Sequence, residues 1–422
     1  MIHHRCWRWI LPAIVLVSSG CVVHETRPLP QLQATQATAS IAPEQLLDLG
    51  LHVFHPGVAP EIVENPELGE QQRIFVEIRR AEARYLPTHL RGVLEGTGHW
   101  GATRVVPASV QSFDVTVDGR ILESTGTALR IAVTAVDATG RVWLDGQEFQ
   151  GLADTRAYRP DRVSVRDPFE NVYVAVAEAL LAARNRLTPA EIAEVRRVAE
   201  LRFAADFAPV AFSQYLAREP KTGRYHATRL PAADDPLLRR IGQIRERDYG
   251  MVDAVSEHYA SFSEQIAAPY LDWRRYTYDE IVAEEKLKAQ ARNRIGLGAA
   301  AVLGAILIPD SCSSDTCARA TDAARYGAAA GGVAAVVSGL RKRGEAKIHT
   351  ESIREISSGF DAAAAPLVID VEGRTLRLTG TAEEQYAEWR RLLHELYREE
   401  TGLVPSAPAS GGEAQAAVPG TG

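Results

Sequence analysis

The sequence lacks an excess of positive charge, which excludes a general nucleic-acid-binding protein. It has 47 basic and 54 acidic residues and a formal net charge of -7, whereas binding to phosphates needs a basic face. It does not lack apolar residues. Hydrophobic side chains make up 46% of the chain and charged ones 24%, so global disorder is also excluded. A chain of 422 residues is long enough for two or three folded units.

Motifs that mark a catalytic or cofactor site are also missing. The sequence contains no G-x4-G-K-S/T loop for phosphates and no G-x-S-x-G turn for an activated serine. Residues 296–301 match the loose dinucleotide pattern G-x-G-x-x-A, but a charged helical segment precedes them where that chemistry needs a strand. The sequence therefore predicts no catalytic residue, no cofactor and no nucleic-acid partner, and favours a protein that is not an enzyme.

Two groups of polar residues could still carry chemistry. His52 and His55 could share a zinc ion on a helix, but on a strand positions three apart face opposite sides. They are interpreted as packed or surface residues, and no metal site is predicted. Four carboxylates near the turns of a predicted strand meander are interpreted as exposed, solubilising groups rather than as acid–base catalysts. They are Asp114, Asp118, Glu123 and Asp137.

The first twenty residues have the composition of a secretory signal. Arg5 and Arg8 precede an apolar run over residues 10–17, and small residues follow it. This run is too short to cross a bilayer core of about 30 Å, which takes roughly 20 residues. Residues 1–20 are therefore predicted to be a signal peptide that is removed.

The segment Val17-Ser18-Ser19-Gly20-Cys21 resembles the lipobox of bacterial lipoprotein precursors. This resemblance implies cleavage before Cys21 and attachment of a diacylglycerol and an N-acyl chain to that cysteine. Several acyl chains hold a protein stably on a bilayer, because each buried CH₂ contributes about 0.8 kcal/mol. Val22, rather than Asp, follows the cysteine, which in such families implies an outer-membrane location facing the periplasm. An ordinary signal with an incidental cysteine is the alternative.

The mature chain divides by composition, and the fold class expected is α+β. Residues 21–44 lack periodicity and are rich in Pro, Gln, Thr and Ala, which predicts a flexible tether. Residues 45–210 predict a sandwich-like α/β domain in the order strand, helix, strand meander, helix. This order resembles that of periplasmic domains of envelope lipoproteins, such as the curli-secretion lipoprotein and the penicillin-binding-protein activators.

Local patterns place the elements of that domain. Strands are predicted over 47–54, 103–107, 113–123, 128–136 and 141–149, and helices over 76–94 and 169–186. Turns are predicted at 118–119, 124–126 and 138–140. Thr188 and Glu191 flank Pro189 with the spacing of a capping box, which predicts the start of a further helix.

Residues 211–294 are predicted to be a helical region that begins with a polar connection up to about residue 235. Apolar side chains then recur on one helical face, which is interpreted either as the packing seam of a helical hairpin or as a groove for a partner. The stripe consists of Ile241, Ile244, Met251, Val252, Val255, Tyr259, Phe262, Ile266, Tyr270 and Trp273.

Residues 295–340 are rich in Gly and Ala and are predicted to form a helical hairpin. Five glycines lie at spacings that allow two helix backbones to approach closely: Gly296, Gly304, Gly327, Gly331 and Gly339. Each arm of about 14 residues is shorter than a bilayer core by roughly 9 Å. Three arrangements remain open, namely a hairpin buried within the protein, a hairpin that dips into the membrane, and an oligomeric helical assembly.

Cys312 and Cys317 lie between the two arms of this hairpin. Once Cys6 leaves with the signal and Cys21 is acylated, they form an even pair in an oxidising compartment. A disulfide that closes the turn is predicted. Two thiolates without a nearby histidine supply too few ligands for zinc.

Residues 341–402 are predicted to be a small ββα module. Strands over 367–371 and 374–378 are followed by a helix that opens at Thr381 and Glu384 with capping-box spacing. Two strands and one helix are marginal alone, so the module is expected to dock on the rest of the chain. Residues 403–422 form an Ala/Gly/Pro-rich tail that is predicted to be disordered.

Three hypotheses of function follow. The first is a lipid-anchored, non-enzymatic scaffold or accessory subunit in envelope assembly, secretion or transport. Its partners would be membrane lipid, through acylated Cys21, and an envelope protein or a second copy of the chain. The second is a membrane-inserting or channel-forming oligomer built on the glycine-rich hairpin. The third is an envelope hydrolase whose site has no recognisable motif.

Overall fold

A computed structural model describes residues 29–159, 166–232, 234–306, 355, 367–371, 374–378 and 380–401, with backbone alone over 287–306 and over both strands within 367–377. The chain is α+β, as predicted. A five-stranded mixed sheet with its helices comes first, and a long helical region and a C-terminal helix follow.

The bounds of the elements follow the sequence patterns closely. The sheet strands are β1 (Leu49–His52), β2 (Thr103–Val106), β3 (Val115–Ser124), β4 (Ala128–Asp137) and β5 (Val142–Leu152). The helices are α1 (Pro60–Glu64), α2 (Pro66–Gln72), α3 (Val76–Glu95), α4 (Glu170–Arg184), α5 (Pro189–Phe207), α6 (Pro209–Phe212), α7 (Pro236–Ile306) and α8 (Ala382–Thr401). Two hairpins pair β6 (Leu216–Arg218) with β7 (Tyr225–Ala227) and β8 (Leu367–Val371) with β9 (Arg374–Leu378). The five sheet strands and the helices over 76–94 and 169–186 are thereby confirmed, whereas the β6–β7 hairpin was not predicted.

The sheet has the strand order β2-β1-β3-β4-β5. Strand β1 is parallel to both of its neighbours, so that Leu49 pairs with Thr103 on one side and Val115 on the other. Strands β3, β4 and β5 form the predicted antiparallel meander. Buried and partly exposed residues alternate along β4, which confirms the period of two that the sequence shows.

The turn predicted at residues 118–119 is wrong, because both residues lie inside β3. Gly119 pairs with Val133 of β4. A Cβ atom on Gly119 would overlap the ring of Phe54, so this glycine permits close packing on the sheet rather than a reversal of the chain. The predicted turns at 124–126 and 138–140 do connect the meander strands.

The described part of the predicted tether is not free of the domain. Residues 29–44 run along its surface and are held by backbone hydrogen bonds. The Leu32 N–H donates to Asn171 Oδ1 at 2.9 Å, and the Ala37 N–H donates to the Thr97 carbonyl at 2.8 Å. The partners of this segment are distant residues, which its own sequence does not reveal. The flexible-tether prediction therefore needs correction from Leu29 onward.

Helix α7 has 71 residues, which corresponds to about 106 Å at 1.5 Å per residue. All the apolar stripe residues predicted on it are buried. They pack against α3, β2 and α8, so the stripe is an internal packing seam. The seam does not belong to a helical hairpin, and it is covered by this chain rather than open to a partner.

The C-terminal strands and helix are found where they were predicted. Thr381 N–H donates to Glu384 Oε2 at 2.8 Å, and Glu384 N–H donates to Thr381 Oγ1 at 3.2 Å, which completes the expected capping box. Helix α8 docks on α7 and buries Trp389 and Leu393. Within the described ranges, no helix has the combination of length and apolarity that crossing a membrane requires.

Candidate functional site

Several of the residues that the sequence singles out fall outside the described residues. They are Cys21, Cys312, Cys317, Gly327, Gly331 and Gly339, so the acylation, the disulfide and the second arm of the hairpin stay predictions. Gly296 and Gly304 lie in the last turns of α7. Their spacing of eight residues places them about 80° apart around the helix axis, which is compatible with one small-residue face.

The two histidines considered for zinc have different surroundings. His52 is 3% exposed, and its ring nitrogens face Asp118 Oδ1 at 2.8 Å and the Val110 carbonyl at 2.9 Å. His55 is exposed and accepts a hydrogen bond from the Gly57 N–H at 2.9 Å. Their interpretation as one packed and one surface histidine is confirmed. Among the residues that the structure describes, no group of three or more potential metal ligands occurs.

Two of the four meander carboxylates are buried, so their interpretation as solubilising groups is wrong. Asp114 is 4% exposed and Asp137 is 2% exposed. Asp137 accepts hydrogen bonds from the Trp143 indole N–H at 2.9 Å and from the Thr139 N–H at 2.9 Å. It therefore fixes the β4–β5 turn. Asp118 and Glu123 are about half exposed, in line with the interpretation.

A cluster of buried polar residues joins α7 to the sheet domain. We call it the Arg274 cluster, and its members are Arg274, Glu82, Asp167, Tyr270 and Tyr85. The Arg274 side chain is 1% exposed and lies between two carboxylates, with Nη1 at 3.5 Å from Asp167 Oδ1 and Nη2 at 3.9 Å from Glu82 Oε1. Both carboxylates are at most 2% exposed. A cation and two anions are thus removed from water at the junction of three segments.

Two tyrosines supply hydrogen bonds to the carboxylates of the Arg274 cluster. Tyr270 Oη donates to Glu82 Oε1 at 2.5 Å, and Tyr85 Oη donates to Asp167 Oδ2 at 3.2 Å. Burial raises the pKa of Tyr85, and the nearby Asp167 carboxylate raises it further. Tyr85 therefore stays protonated and remains a donor at physiological pH.

Aromatic rings and a second cation complete the surroundings of Arg274. Its guanidinium carbon lies 4.2 Å from the centre of the Tyr270 ring and 4.5 Å from that of Phe169. Arg79 Nε is 3.8 Å from Glu82 Oε2, so that two arginines face two carboxylates. Because these charged groups are closed off from solvent, the cluster fits a structural tie between α7 and the sheet domain better than a reaction centre.

A second cluster joins α7 to α8 and α5. Asp248 on α7 is fully buried, accepts a hydrogen bond from Tyr386 Oη at 3.4 Å, and lies 3.5 Å from Arg390 Nη1. Arg390 also pairs with Asp206 of α5 and lies over the ring of Phe207, 4.7 Å from its centre. One arginine thus connects three helices.

Two carboxyl groups near the N-terminal part of α7 have pKa values displaced upward. Burial raises the pKa of Asp248 to about 6, and the opposing effect of Arg390 is smaller. Burial also raises the pKa of Asp114 to about 6, and this carboxylate accepts a hydrogen bond from the Asp48 N–H at 2.9 Å. The positive charge of Arg245 acts on both carboxyl groups, which places them in one electrostatic neighbourhood.

We expect Asp114 and Asp248 to add to the free energy of unfolding as the pH falls from 7.5 to 5.5, against the opposite contribution of His55 and His258, whose pKa values are lowered by burial. In this window the folded chain takes up protons at Asp114 and Asp248, whereas the unfolded chain takes them up only near pH 4. Each group contributes about 1 kcal/mol over the window for a folded pKa near 6. Urea unfolding followed by circular dichroism at several pH values measures this change. The change in the free energy of unfolding between pH 7.5 and 5.5 should be less favourable to the folded state by about 1 kcal/mol in the Asp248→Asn variant than in the wild type. The same change in both proteins would contradict the assignment to Asp248.

Comparisons with protein-family models, with curated protein sequences and with solved structures found no match to this chain.

Proposed function

We propose that the protein is anchored by lipid in the outer membrane, faces the periplasm, and acts without catalysis as a scaffold or accessory subunit in envelope assembly, secretion or transport. The observation that carries this proposal is the signal-like segment over residues 1–20 that ends at a lipobox-like sequence and Cys21. In this function the acylated cysteine holds the protein on the membrane, and the folded domain presents surfaces to an envelope protein or to a second copy.

Two features of the fold support a scaffold. The buried charges of the Arg274 cluster connect elements of the chain, and the side chains of Arg274, Glu82 and Asp167 are at most 2% exposed. Helix α7 is about 106 Å long and is fixed to the sheet domain along its packing seam. A helix of this length that is attached to a folded domain can hold two structures at a fixed distance from each other.

Replacing Cys21 with Ala tests the anchor directly. Wild-type protein from cells grown with labelled palmitate should carry the label and should resist extraction of outer-membrane vesicles with salt. The Cys21→Ala variant should carry no label and lose its lipid anchor. Cys6→Ala is the matched control, since Cys6 precedes the expected cleavage point, and this variant should behave as the wild type does. A processed wild-type N-terminus without acyl mass in a mass spectrum would overturn the proposal.

The second candidate function is a membrane-inserting or channel-forming oligomer. One observation favours it: α7 continues without a break into the Gly/Ala-rich sequence that contains Gly296 and Gly304. Replacing both glycines with Leu would block close approach of helices there. If the oligomer exists, native electrophoresis of detergent extracts should show a species of several chain masses that this double variant loses. Migration of the wild type as a monomer would count against an oligomer.

A further inference from the structure

We infer that one end of the sheet domain faces the membrane, and that α7 runs toward that membrane so that its last turns contact lipid. We call this end the anchor end. It is formed by the β3–β4 turn, residues 154–158 and the part of α7 around Tyr278. The inference rests on the proposed acylation of Cys21.

The chain is attached to the anchor end close to the proposed lipid. Arg156 Nη2 donates to the Leu29 carbonyl at 2.7 Å, and Asn171 Nδ2 donates to the Pro30 carbonyl at 2.9 Å. Only eight residue steps separate Leu29 from Cys21, and a chain of that length spans at most about 29 Å in any conformation. A free tether up to residue 44 would have allowed many orientations, whereas this short connection keeps Arg156 near the lipid surface.

Helix α7 reaches the same end of the domain. Tyr158, two residues after Arg156, packs its ring on that of Tyr278 with 5.3 Å between the ring centres. Tyr158 Oη also donates to the Gly126 carbonyl in the β3–β4 turn at 2.7 Å. Leu29, from which the chain leads back to Cys21, therefore lies close to the part of α7 around Tyr278.

The direction of α7 follows from its contacts with the sheet. Val105 of β2 lies level with Val117, near the start of β3, because both pair with Leu51 of β1. The Val105 N–H donates to Ser256 Oγ of α7 at 3.0 Å. Near the end of β3, the Gly126 turn lies against the backbone of Tyr278. The 22 residues from Ser256 to Tyr278 span about 33 Å of helix, which equals the length of the ten residues of β3. Helix α7 thus advances in the direction of β3, from the level of Val105 on β2 to the β3–β4 turn.

Beyond Tyr278, α7 continues for another 28 residues to Ile306, which is about 42 Å. The stretch between Leu29 and Cys21 can hold the domain at most about 29 Å from the lipid. A helix of about 42 Å covers that distance even when it is inclined by about 45° to the membrane normal. Along this part of α7 the sequence changes from basic to apolar, which is the order expected for a helix that enters a membrane interface from water. Lys286, Lys288 and two arginines precede an uncharged apolar run from residue 295, and basic residues favour anionic head groups.

Lipid-dependent quenching can locate both ends of α7 in the full-length acylated protein. A fluorophore is attached to Glu246→Cys, Glu285→Cys or Ala299→Cys in a background with Cys312→Ser and Cys317→Ser. Glu246 and Glu285 are both exposed on α7 and are about 58 Å apart along its axis. The protein is placed in vesicles of phosphatidylethanolamine and phosphatidylglycerol with brominated acyl chains. We expect emission at position 299 to fall at least twofold, emission at 285 to fall less, and emission at 246 to stay unchanged.

Each other outcome has a definite meaning. Equal quenching at 246 and 299, or quenching at 246 alone, overturns the orientation while the acyl anchor stands. No quenching at any position, with acylation verified by mass, overturns lipid contact by α7. Protein that carries no acyl chain removes the proposed function and this inference together. Because the serine substitutions could disturb folding, labelling the same positions with the native cysteine pair under non-reducing conditions gives a second test with the same expected order.

Discussion

Replacing Arg274 with Ala is expected to lower the free energy of unfolding by about 3–5 kcal/mol, because it leaves Glu82 and Asp167 buried without their shared cation. Asp167 would then have to admit water or move, while Glu82 would keep Arg79 at 3.8 Å. Each of these responses loosens the contact between α7 and the sheet domain. Urea unfolding followed by circular dichroism gives the loss of stability, and limited proteolysis around residue 274 reports release of the helix.

The neighbouring arginine provides a matched control for this prediction. Arg275 pairs with Asp272 on the same helix at 3.1 Å, and both side chains are more than 40% exposed. A surface pair of this kind contributes about 1 kcal/mol or less, so Arg275→Ala should have little effect. Equal losses in the Arg274 and Arg275 variants would show that the buried cluster does not hold α7 in place.

Much of the secondary structure can be predicted from local sequence patterns. The alternation along β4 predicted its buried face, and the Thr188–Glu191 and Thr381–Glu384 spacings predicted two helix starts. These features depend on neighbours within one strand or one helical turn. They can therefore be recognised without knowing which distant segment lies opposite.

The errors involve partners that are far away in the sequence. Gly119 suggested a turn, but it lies in a strand, where the distant Phe54 ring packs against it. Asp114 suggested an exposed group, but it is buried and accepts a hydrogen bond from the distant Asp48 N–H. Asp137 is the exception, because its partners Thr139 and Trp143 are close in the sequence. Residues 29–44 suggested a tether because their hydrogen-bond partners lie more than 50 residues further along the chain. A local sequence pattern does not indicate which distant segment will pack over a residue.

The Arg274 cluster was missed although one signal of it was present. Arg274 follows Tyr270 by four residues and so lies on the apolar face of α7 that the sequence defined. A charge on a buried face predicts an opposite charge nearby, since charged side chains are rarely buried alone. The identity of the partners could not be inferred, because Glu82 and Asp167 are more than 100 residues away in the sequence.

The position of α7 at the anchor end depends on a glycine in the β3–β4 turn. A Cβ atom on Gly126 would overlap the backbone carbonyl oxygen of Arg274 and the backbone nitrogen of Tyr278. Neither atom can rotate away as a side chain does, so the helix itself would have to shift. We expect Gly126→Ala to lower the free energy of unfolding by about 3 kcal/mol, at the upper end for overpacked sites.

Gly250→Ala on α7 is the control for this substitution. No heavy atom would lie within 4 Å of a Cβ at Gly250, so alanine should stabilise the helix there by up to about 1 kcal/mol through its higher helix propensity. The same chemical change is thus expected to have opposite signs at the two positions, which urea unfolding can resolve. Little loss in Gly126→Ala would mean that α7 can move at the turn without penalty, and its direction beyond Tyr278 would then no longer be fixed by this contact.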